Sequence, residues 1–144
     1  TDAATLETIA IEQYEHWRGI ADNKGLVMQL NVLHANNMQY KTPLIRAVIA
    51  NLLRNAVHYT DTGFVKLVVD GCTCRVEDSG QGIEPEQREI VFQPFVRGTQ
   101  ARGEGMGLGL SLVKRICQHE NWRIELQAMQ PQGSCFTVDF NPPK

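Results

Sequence analysis

Apolar side chains recur at the spacing of an amphipathic helix in three stretches of the chain, which predicts three helices. The first ends at residues 22–25, where asparagine or glycine can take a left-handed turn. The second begins at Pro43, which suits a first helical turn, and runs to about Tyr59. The apolar faces of the first and third helices are made by Leu6, Ile9, Ala10, Tyr14 and Trp17 and by Leu110, Val113, Ile116 and Cys117.

Alternation of apolar and polar residues, which is typical of half-buried strands, fills much of the chain between the helices. It predicts strands at 26–32, 64–69, 72–78, 122–128 and 134–140, with a type I′ turn at Asp70-Gly71. A short helix starting at Pro85 is predicted over 84–91, and residues 92–105 lose periodicity and gain glycine, as a mobile loop does. The simplest assembly of these elements is a two-layer α/β sandwich with helices on one face of a mixed sheet.

The bulk composition indicates one domain and excludes several kinds of partner. The 144 residues, of which 42% are hydrophobic, suit a single domain over 1–144 with a core of its own. A net charge of -2 gives no general attraction to nucleic acid or to an anionic membrane, so an anionic ligand must be bound by local geometry. No apolar run reaches the roughly 20 residues of a membrane-spanning helix, and the first residues do not resemble a secretory signal. Since an initiator methionine is absent, we expect a piece of a longer protein.

The second predicted helix carries a narrow polar stripe on an otherwise apolar surface. Asn51, Asn55 and His58 recur at i, i+4 and i+7 and therefore share one side of the helix. Unpaired buried amides are costly, so the stripe must face solvent or a polar cavity. An amide oxygen is a suitable ligand for Mg²⁺, whereas the alternative is a solvated helix edge with no ligand.

Two glycine-containing segments could bind a nucleotide. Asp78 ends a predicted strand and is followed by Gly80 and Gly82, so its carboxylate could accept a hydrogen bond from an exocyclic amine such as that of adenine. The alternative is an ordinary turn. Glycines also alternate over 103–109, directly before the third helix, where free backbone N–H groups and the positive helix end favour phosphate. The alternative there is a flexible hinge.

Between these segments, two aromatic residues precede a candidate cation. Phe92 and Phe95 are spaced to anchor one end of the glycine-rich loop to the core. Arg97 follows them and could contact a polyphosphate, although a solvated arginine is an equally good interpretation of the residue alone.

Together these segments resemble, in order, the nucleotide-binding motifs of bacterial sensor histidine kinases. The resemblance is sharpest between Asn51 and Leu110 and extends loosely over nearly the whole chain. The matching segments are Asn51-Leu52-Leu53-Arg54-Asn55-Ala56 with Tyr59-Thr60 (N box), Asp78-Ser79-Gly80-Gln81-Gly82 (G1 box), Phe92-Gln93-Pro94-Phe95 (F box) and Gly105-Met106-Gly107-Leu108-Gly109-Leu110 (G2 box).

The resemblance implies the Bergerat fold, shared with gyrase, the Hsp90 chaperones and MutL, with ATP and Mg²⁺ as ligands. It implies that Asn55 holds Mg²⁺, that Asn51 faces the transferred phosphate, and that Arg97 lies in the flexible ATP lid between the F and G2 boxes. The implied nucleotide-binding residues are His58 and Tyr59, then Asp78, Gly80, Gly82 and Ile83 around the adenine, and Gly105, Gly107, Leu108, Gly109 and Leu110 along the phosphates.

Two positions depart from the family pattern. Many family members carry lysine or arginine where this chain has His58, so a charge-dependent contact there predicts nucleotide affinity that rises as the pH falls through about 6.5. Near the end of the third helix, Asn121 stands where the family often has glycine. Asparagine tolerates the left-handed conformation, so His119 before it is interpreted as structural.

The implied function is that of an ATP-dependent protein histidine kinase in two-component signalling, acting on a phosphoacceptor histidine of the same parent protein. The implied partners are the phosphoacceptor and dimerisation domain and, downstream, a response regulator. None of His16, His34, His58 and His119 has the sequence context of a phosphoacceptor, so the chain is expected to be monomeric and unable to phosphorylate itself. We expect a cytoplasmic domain, with no membrane contact of its own, in a parent anchored in the bacterial inner membrane.

Two other functions remain open on the sequence alone. One is an anti-sigma-type serine kinase or an ATPase of the same fold. ATPases of this fold usually need an acidic general base in the N box, and Asn51 stands in that place. The other is a degenerate module that senses nucleotide or docks a partner without catalysis. The presence of Asn55, Asp78 and the G2 glycines favours the kinase over this module.

Overall fold

A computed structural model describes residues 3–88, 90–92 and 106–140. Its helices are α1 (Leu6–Lys24), α2 (Thr42–Tyr59) and α3 (Met106–Glu120), with 3-10 turns at Pro85–Gln87 and Ile90–Phe92. Its strands are β1 (Ala3–Ala4), β2 (Val27–His34), β3 (Tyr40–Lys41), β4 (Phe64–Asp70), β5 (Thr73–Asp78), β6 (Arg123–Ala128) and β7 (Ser134–Asp139). Within these residues, no helix is long and apolar enough to cross a membrane.

The described strands form a mixed sheet with the order β2-β4-β5-β7-β6 and a separate two-stranded pair, β1 with β3. The β2–β4 pair is parallel, and the other neighbours in the larger sheet are antiparallel. A parallel pair needs a crossover, and here α2 lies in the connection between the two strands. The predicted mixed sheet is therefore confirmed.

The helices cover one face of this sheet. The first helix packs on β2 and β4, α2 packs on β4 and β5, and α3 packs on β6 and α2. Alternate residues of the strands join the helices in one apolar core, which includes Val65, Leu67 and Val69 of β4 and Phe136 of β7. The fold is a two-layer α/β sandwich, as the sequence predicts.

The ends of the helices follow from local sequence. Gly25 ends α1 with φ +85°, and its N–H bonds back to Ala21 and Asp22, so the predicted left-handed stop is confirmed. Pro43 lies in the first turn of α2, as predicted. Asn121 follows α3 with φ +62°, which confirms that asparagine takes the left-handed position there.

One local prediction is wrong, and a second is correct only in part. Asp70 pairs with Thr73, so the central residues of the β4–β5 turn are Gly71 and Cys72, and only Gly71 has positive φ. A type I′ turn needs positive φ at both central residues, so the turn is not of that type. The short helix predicted over 84–91 begins at Pro85, as expected, but its described residues form 3-10 turns over Pro85–Gln87 and Ile90–Phe92.

Candidate functional site

The end of β5 holds a buried carboxylate. Asp78 is 5% exposed, and its Oδ1 accepts hydrogen bonds from the backbone N–H of Gly80 at 2.9 Å and of Ser134 at 3.3 Å. Its Oδ2 accepts no hydrogen bond from the described residues. The backbone therefore fixes one oxygen of the carboxylate and leaves the other to bind a donor from outside the chain.

Burial sets the acidity of this group. Desolvation raises the pKa of the Asp78 carboxyl from 3.8 to about 6, and the N–H donors of Gly80 and Ser134 oppose that rise. The group is therefore ionised at neutral pH, although burial disfavours its charge. An ionised carboxylate with a free oxygen is a strong acceptor for an amine.

The loop after β5 lies against the end of α2. A Cβ added to Gly80 would lie 2.8 Å from the Tyr59 carbonyl oxygen and 3.0 Å from Thr60 Oγ1, so glycine is required at this contact. Tyr59 is half-buried, and its ring meets the His58 ring edge-on at 4.8 Å between centroids. Residues from the predicted N and G1 boxes therefore meet at this corner of the fold.

The central residue of the polar stripe of α2, Asn55, is buried. Asn55 is 7% exposed, and its side-chain amide has no hydrogen-bond partner in the described part of the chain. Asn51 is half-buried, and its Nδ2 donates to the Ala47 carbonyl oxygen at 2.7 Å. Asn55 is therefore largely buried rather than part of a solvated edge, and its assignment to a metal ion stays a prediction.

The third helix begins inside the predicted G2 box. Since α3 starts at Met106, Gly107 and Leu108 lie in its first turn rather than before it. The first N–H groups of a helix have no partner within the helix, which favours phosphate at this end. A Cβ added to Gly109 would lie 3.1 Å from Asn51 Oδ1, so the start of α3 packs directly on the polar stripe of α2.

The remaining predicted residues lie in different surroundings. Gly82 has φ +81° and lies against the backbone of Gly133, and Ile83 packs on the edge of the core. Leu110 is buried in the core. His58 lines a surface cleft of about 420 Å³ between α1 and α2, together with Trp17 and Lys24 among others. Gly105, Arg97 and the predicted lid lie outside the described residues.

Sequence reasoning missed the part of the site that comes from the closing hairpin. Asp78 pairs with Ser134 across β5 and β7, and this pairing brings the Ser134 N–H to the carboxylate. Gly133 precedes it with φ +119°, pressed against the Asp78 backbone. The only signal in the sequence was a Gly-Ser pair before a strand, which does not by itself point to Asp78.

The raised pKa of Asp78 predicts a pH-dependent stability. An acid whose pKa is higher in the folded state stabilises the fold below its unfolded pKa, and that contribution is lost as the pH rises through about 6. Between pH 5 and pH 7, the parent should therefore lose about 1 kcal/mol of unfolding free energy relative to Asp78→Asn. Urea denaturation without nucleotide measures this difference. A difference that stays flat over this range would show that the carboxyl is not desolvated.

Comparisons with known proteins agree with this geometry. Residues 40–144 match the family model described as "Histidine kinase-, DNA gyrase B-, and HSP90-like ATPase". The sensor protein TorS of Escherichia coli K12 is 43% identical over 98 residues, covering 65% of this chain and 11% of TorS. The sensor histidine kinase CpxA of the same strain is 34% identical over 137 residues, covering 84% of this chain and 29% of CpxA. The chain thus spans less than a third of either relative.

A solved structure shows the same fold. The nucleotide-free catalytic domain of the histidine kinase ThkA superposes with a TM-score of 0.80 at 22% identity. The match covers 94% of this chain and 91% of that domain. The predicted Bergerat-type architecture is therefore confirmed.

Proposed function

Because the chain belongs to the family of histidine kinase-, DNA gyrase B- and HSP90-like ATPases, we propose that it binds Mg-ATP and supplies the γ-phosphoryl group to a phosphoacceptor histidine of its parent protein. The observation that carries the proposal is the buried Asp78, whose Oδ1 is fixed by two backbone donors and whose Oδ2 has no partner in the described residues. That arrangement complements the exocyclic amine of adenine. The polar stripe of α2 and the first turn of α3 lie in contact with each other, on the side where phosphates would bind.

The residues present also fit Mg²⁺. Asn55 is buried without a side-chain partner in the described residues, and its amide oxygen is a hard ligand of the kind that Mg²⁺ accepts. No group of three or more His, Cys, Asp or Glu in the described part of the chain could hold a metal ion, so phosphate oxygens and water would supply the other ligands. Bound Mg²⁺ would supply charge neutralisation at the phosphates.

The contribution of the chain itself is positioning. Asp78 holds the base, Asn51 faces the transferred phosphate, and the N–H groups at the start of α3 hold the phosphate chain. Arg97 is assigned as a further cation for the developing charge, with Gly105, Gly107, Leu108, Gly109 and Leu110 along the phosphates. Tyr59, Gly80, Gly82 and Ile83 surround the adenine. Asn51 cannot activate water as a carboxylate would, which favours transfer to a protein acceptor over hydrolysis.

The partners follow from this assignment. The acceptor is the phosphoacceptor and dimerisation domain of the same parent, and a response regulator receives the phosphoryl group next. We propose that the domain is monomeric by itself and works on the cytoplasmic side of a parent anchored in the inner membrane. The relatives TorS and CpxA are named as a sensor protein and a sensor histidine kinase, which supports this context.

The proposal is tested by calorimetric titration of Mg-ATP into the chain, with GTP as control, followed by incubation with the separately supplied phosphoacceptor domain and γ-labelled ATP. We expect saturable, adenine-specific binding and label on the acceptor histidine only. Steady hydrolysis without transfer would favour an ATPase of the same fold. Mg²⁺-dependent binding with neither transfer nor hydrolysis would favour a nucleotide-sensing or docking module.

Asn55→Ala should remove the dependence of ATP affinity on Mg²⁺. The variant removes the one buried amide of the α2 stripe without a side-chain partner, so ATP affinity with Mg²⁺ and with EDTA should agree within about twofold. Calorimetry under both conditions makes the comparison, and Asn31→Ala, at an exposed position of β2, is the matched control. A Mg²⁺ effect of parental size in Asn55→Ala would remove Asn55 from the metal site.

Protonation of Asp78 gives the affinity a pH dependence. Protonation of this carboxylate below about pH 6 removes the acceptor for the adenine amine, so ATP binding should weaken as the pH falls from 7 to 5. Calorimetry at the two pH values measures the loss, and an equal affinity at both would contradict it.

A further inference from the structure

The side chain of Lys24 joins the end of α1 to the end of α2. Its Nζ donates to the carbonyl oxygens of Val57 at 2.6 Å and of His58 at 2.8 Å. Both carbonyls belong to the last turn of α2, where C=O groups have no partner within the helix. A cation at this position also lies at the negative end of the helix dipole. One ammonium group therefore satisfies two carbonyls that the helix itself leaves open.

The two helices end in different ways, which makes this contact important for α2. Gly25 closes the first helix with two backbone hydrogen bonds. Thr60 follows α2 in an extended conformation, with φ −107°, so no left-handed residue closes that helix. The surface cleft of about 420 Å³ between α1 and α2 lies at this end, and Lys24 and His58 are among the residues that line it. The cleft interrupts the packing of the two helices, so the Lys24 contact holds the end of α2 against α1.

The end of α2 that Lys24 contacts is also the part of the helix that meets the loop after β5. A Cβ added to Gly80 would lie 2.8 Å from the carbonyl oxygen of Tyr59, the residue after His58. Gly80 in turn donates its N–H to Asp78 Oδ1 at 2.9 Å. A contiguous set of contacts therefore runs from Lys24 through the last turn of α2 to the buried carboxylate.

We propose that Lys24 is a positioning residue of the nucleotide site, which holds the last turn of α2 in the place where Tyr59 meets Gly80. This inference rests on the proposed ATP-binding function and adds to that site a residue of α1, outside the four matching motifs. Lys24 acts through the corner that holds the base. Its effect on affinity should therefore not depend on the number of phosphates on the nucleotide.

The test compares Lys24→Met, which keeps the apolar stem and removes the charge and the donors, with Lys24→Arg, which keeps both. Lys41→Met is the matched control, because it removes the same charge from an exposed lysine at the opposite end of α2. Calorimetry gives the affinity of each variant for ATP and for ADP. Lys24→Met should bind both about 3- to 10-fold more weakly, the effect of about one hydrogen bond. The other two variants should bind within about twofold of the parent.

Amide hydrogen exchange without nucleotide gives a second readout, which does not depend on binding. In Lys24→Met, exchange should rise at residues 57–60 and 78–82 by more than it rises in β4, whose exchange follows the stability of the whole fold. Lys41→Met should show no such difference between these segments. A lysine that only stabilised the fold would raise exchange evenly and leave the affinity of the folded protein unchanged.

Several results would overturn the inference. Parental affinity in Lys24→Met would do so, as would an equal loss in Lys24→Arg or unchanged exchange at 78–82. A larger loss for ATP than for ADP would also overturn it, because Lys24 would then act on the phosphates. If Lys24→Met does not fold, Lys24→Gln takes its place with the same expected results. A folded parent that binds no ATP would refute the proposed function, whereas the exchange measurement would still test the contact of Lys24 with α2.

Discussion

Asp78→Asn should weaken ATP binding by at least about 100-fold while leaving the fold intact. Both backbone donors at this residue go to Oδ1, so the amide oxygen of asparagine should take that place. Its NH₂ group then takes the place of Oδ2 and meets the adenine amine donor to donor. The loss therefore combines a missing charge-assisted hydrogen bond with a new repulsive contact.

The fold should survive this change because asparagine can keep the bonds from Gly80 and Ser134, and because it removes a buried charge. Calorimetry measures the affinity, and urea denaturation at pH 7 should show a stability equal to or above that of the parent. Asp70→Asn is the matched control, since it removes the same charge from a side chain exposed at 39% at the β4–β5 turn. If Asp78→Asn binds Mg-ATP like the parent, the base is held elsewhere and the site assignment is wrong.

The elements of this fold could be predicted from the sequence because their signals are local. The apolar faces of α1 and α3, Pro43 at the start of α2 and Gly25 at the end of α1 each specify structure through neighbours within a few residues. The β4–β5 turn was misplaced by one residue. A pair such as Asp70-Gly71 favours a tight turn, but the pairing of Asp70 with Thr73 is set by the whole hairpin.

The candidate site could be predicted only in part, because some of its contacts join segments that are distant in the sequence. Asp78 and Asn55 carry recognisable chemistry in recognisable contexts, and the structure buries both side chains. The contributions of Gly133 and Ser134 depend on a contact between distant segments, because β7 lies beside β5. No periodicity in the sequence reports which strands become neighbours, so these residues could be found only in the assembled fold.

Gly133→Ala should cost about 3 kcal/mol or more of stability and should also weaken ATP binding. Gly133 has φ +119°, a backbone conformation that alanine adopts only under strain. A Cβ at this position would also collide with the Asp78 carbonyl oxygen and lie 3.1 Å from Ser79 Cα, and backbone atoms cannot move aside as a flexible side chain can. The strand entry must therefore shift, and with it the Ser134 N–H that bonds Asp78 Oδ1 at 3.3 Å.

The matched control separates the collision from the strain of positive φ. Gly25 has φ +85° at the end of α1, and a Cβ there would meet nothing within 4 Å, so Gly25→Ala should cost only about 1 kcal/mol and leave ATP affinity unchanged. Urea denaturation measures the stability of both variants, and calorimetry measures the ATP affinity of each variant that is folded. A loss in Gly133→Ala no greater than in Gly25→Ala would mean that the hairpin relaxes freely at this point. In that case the closing hairpin would not hold Asp78 in place, and the carboxylate would be positioned by Gly80 alone.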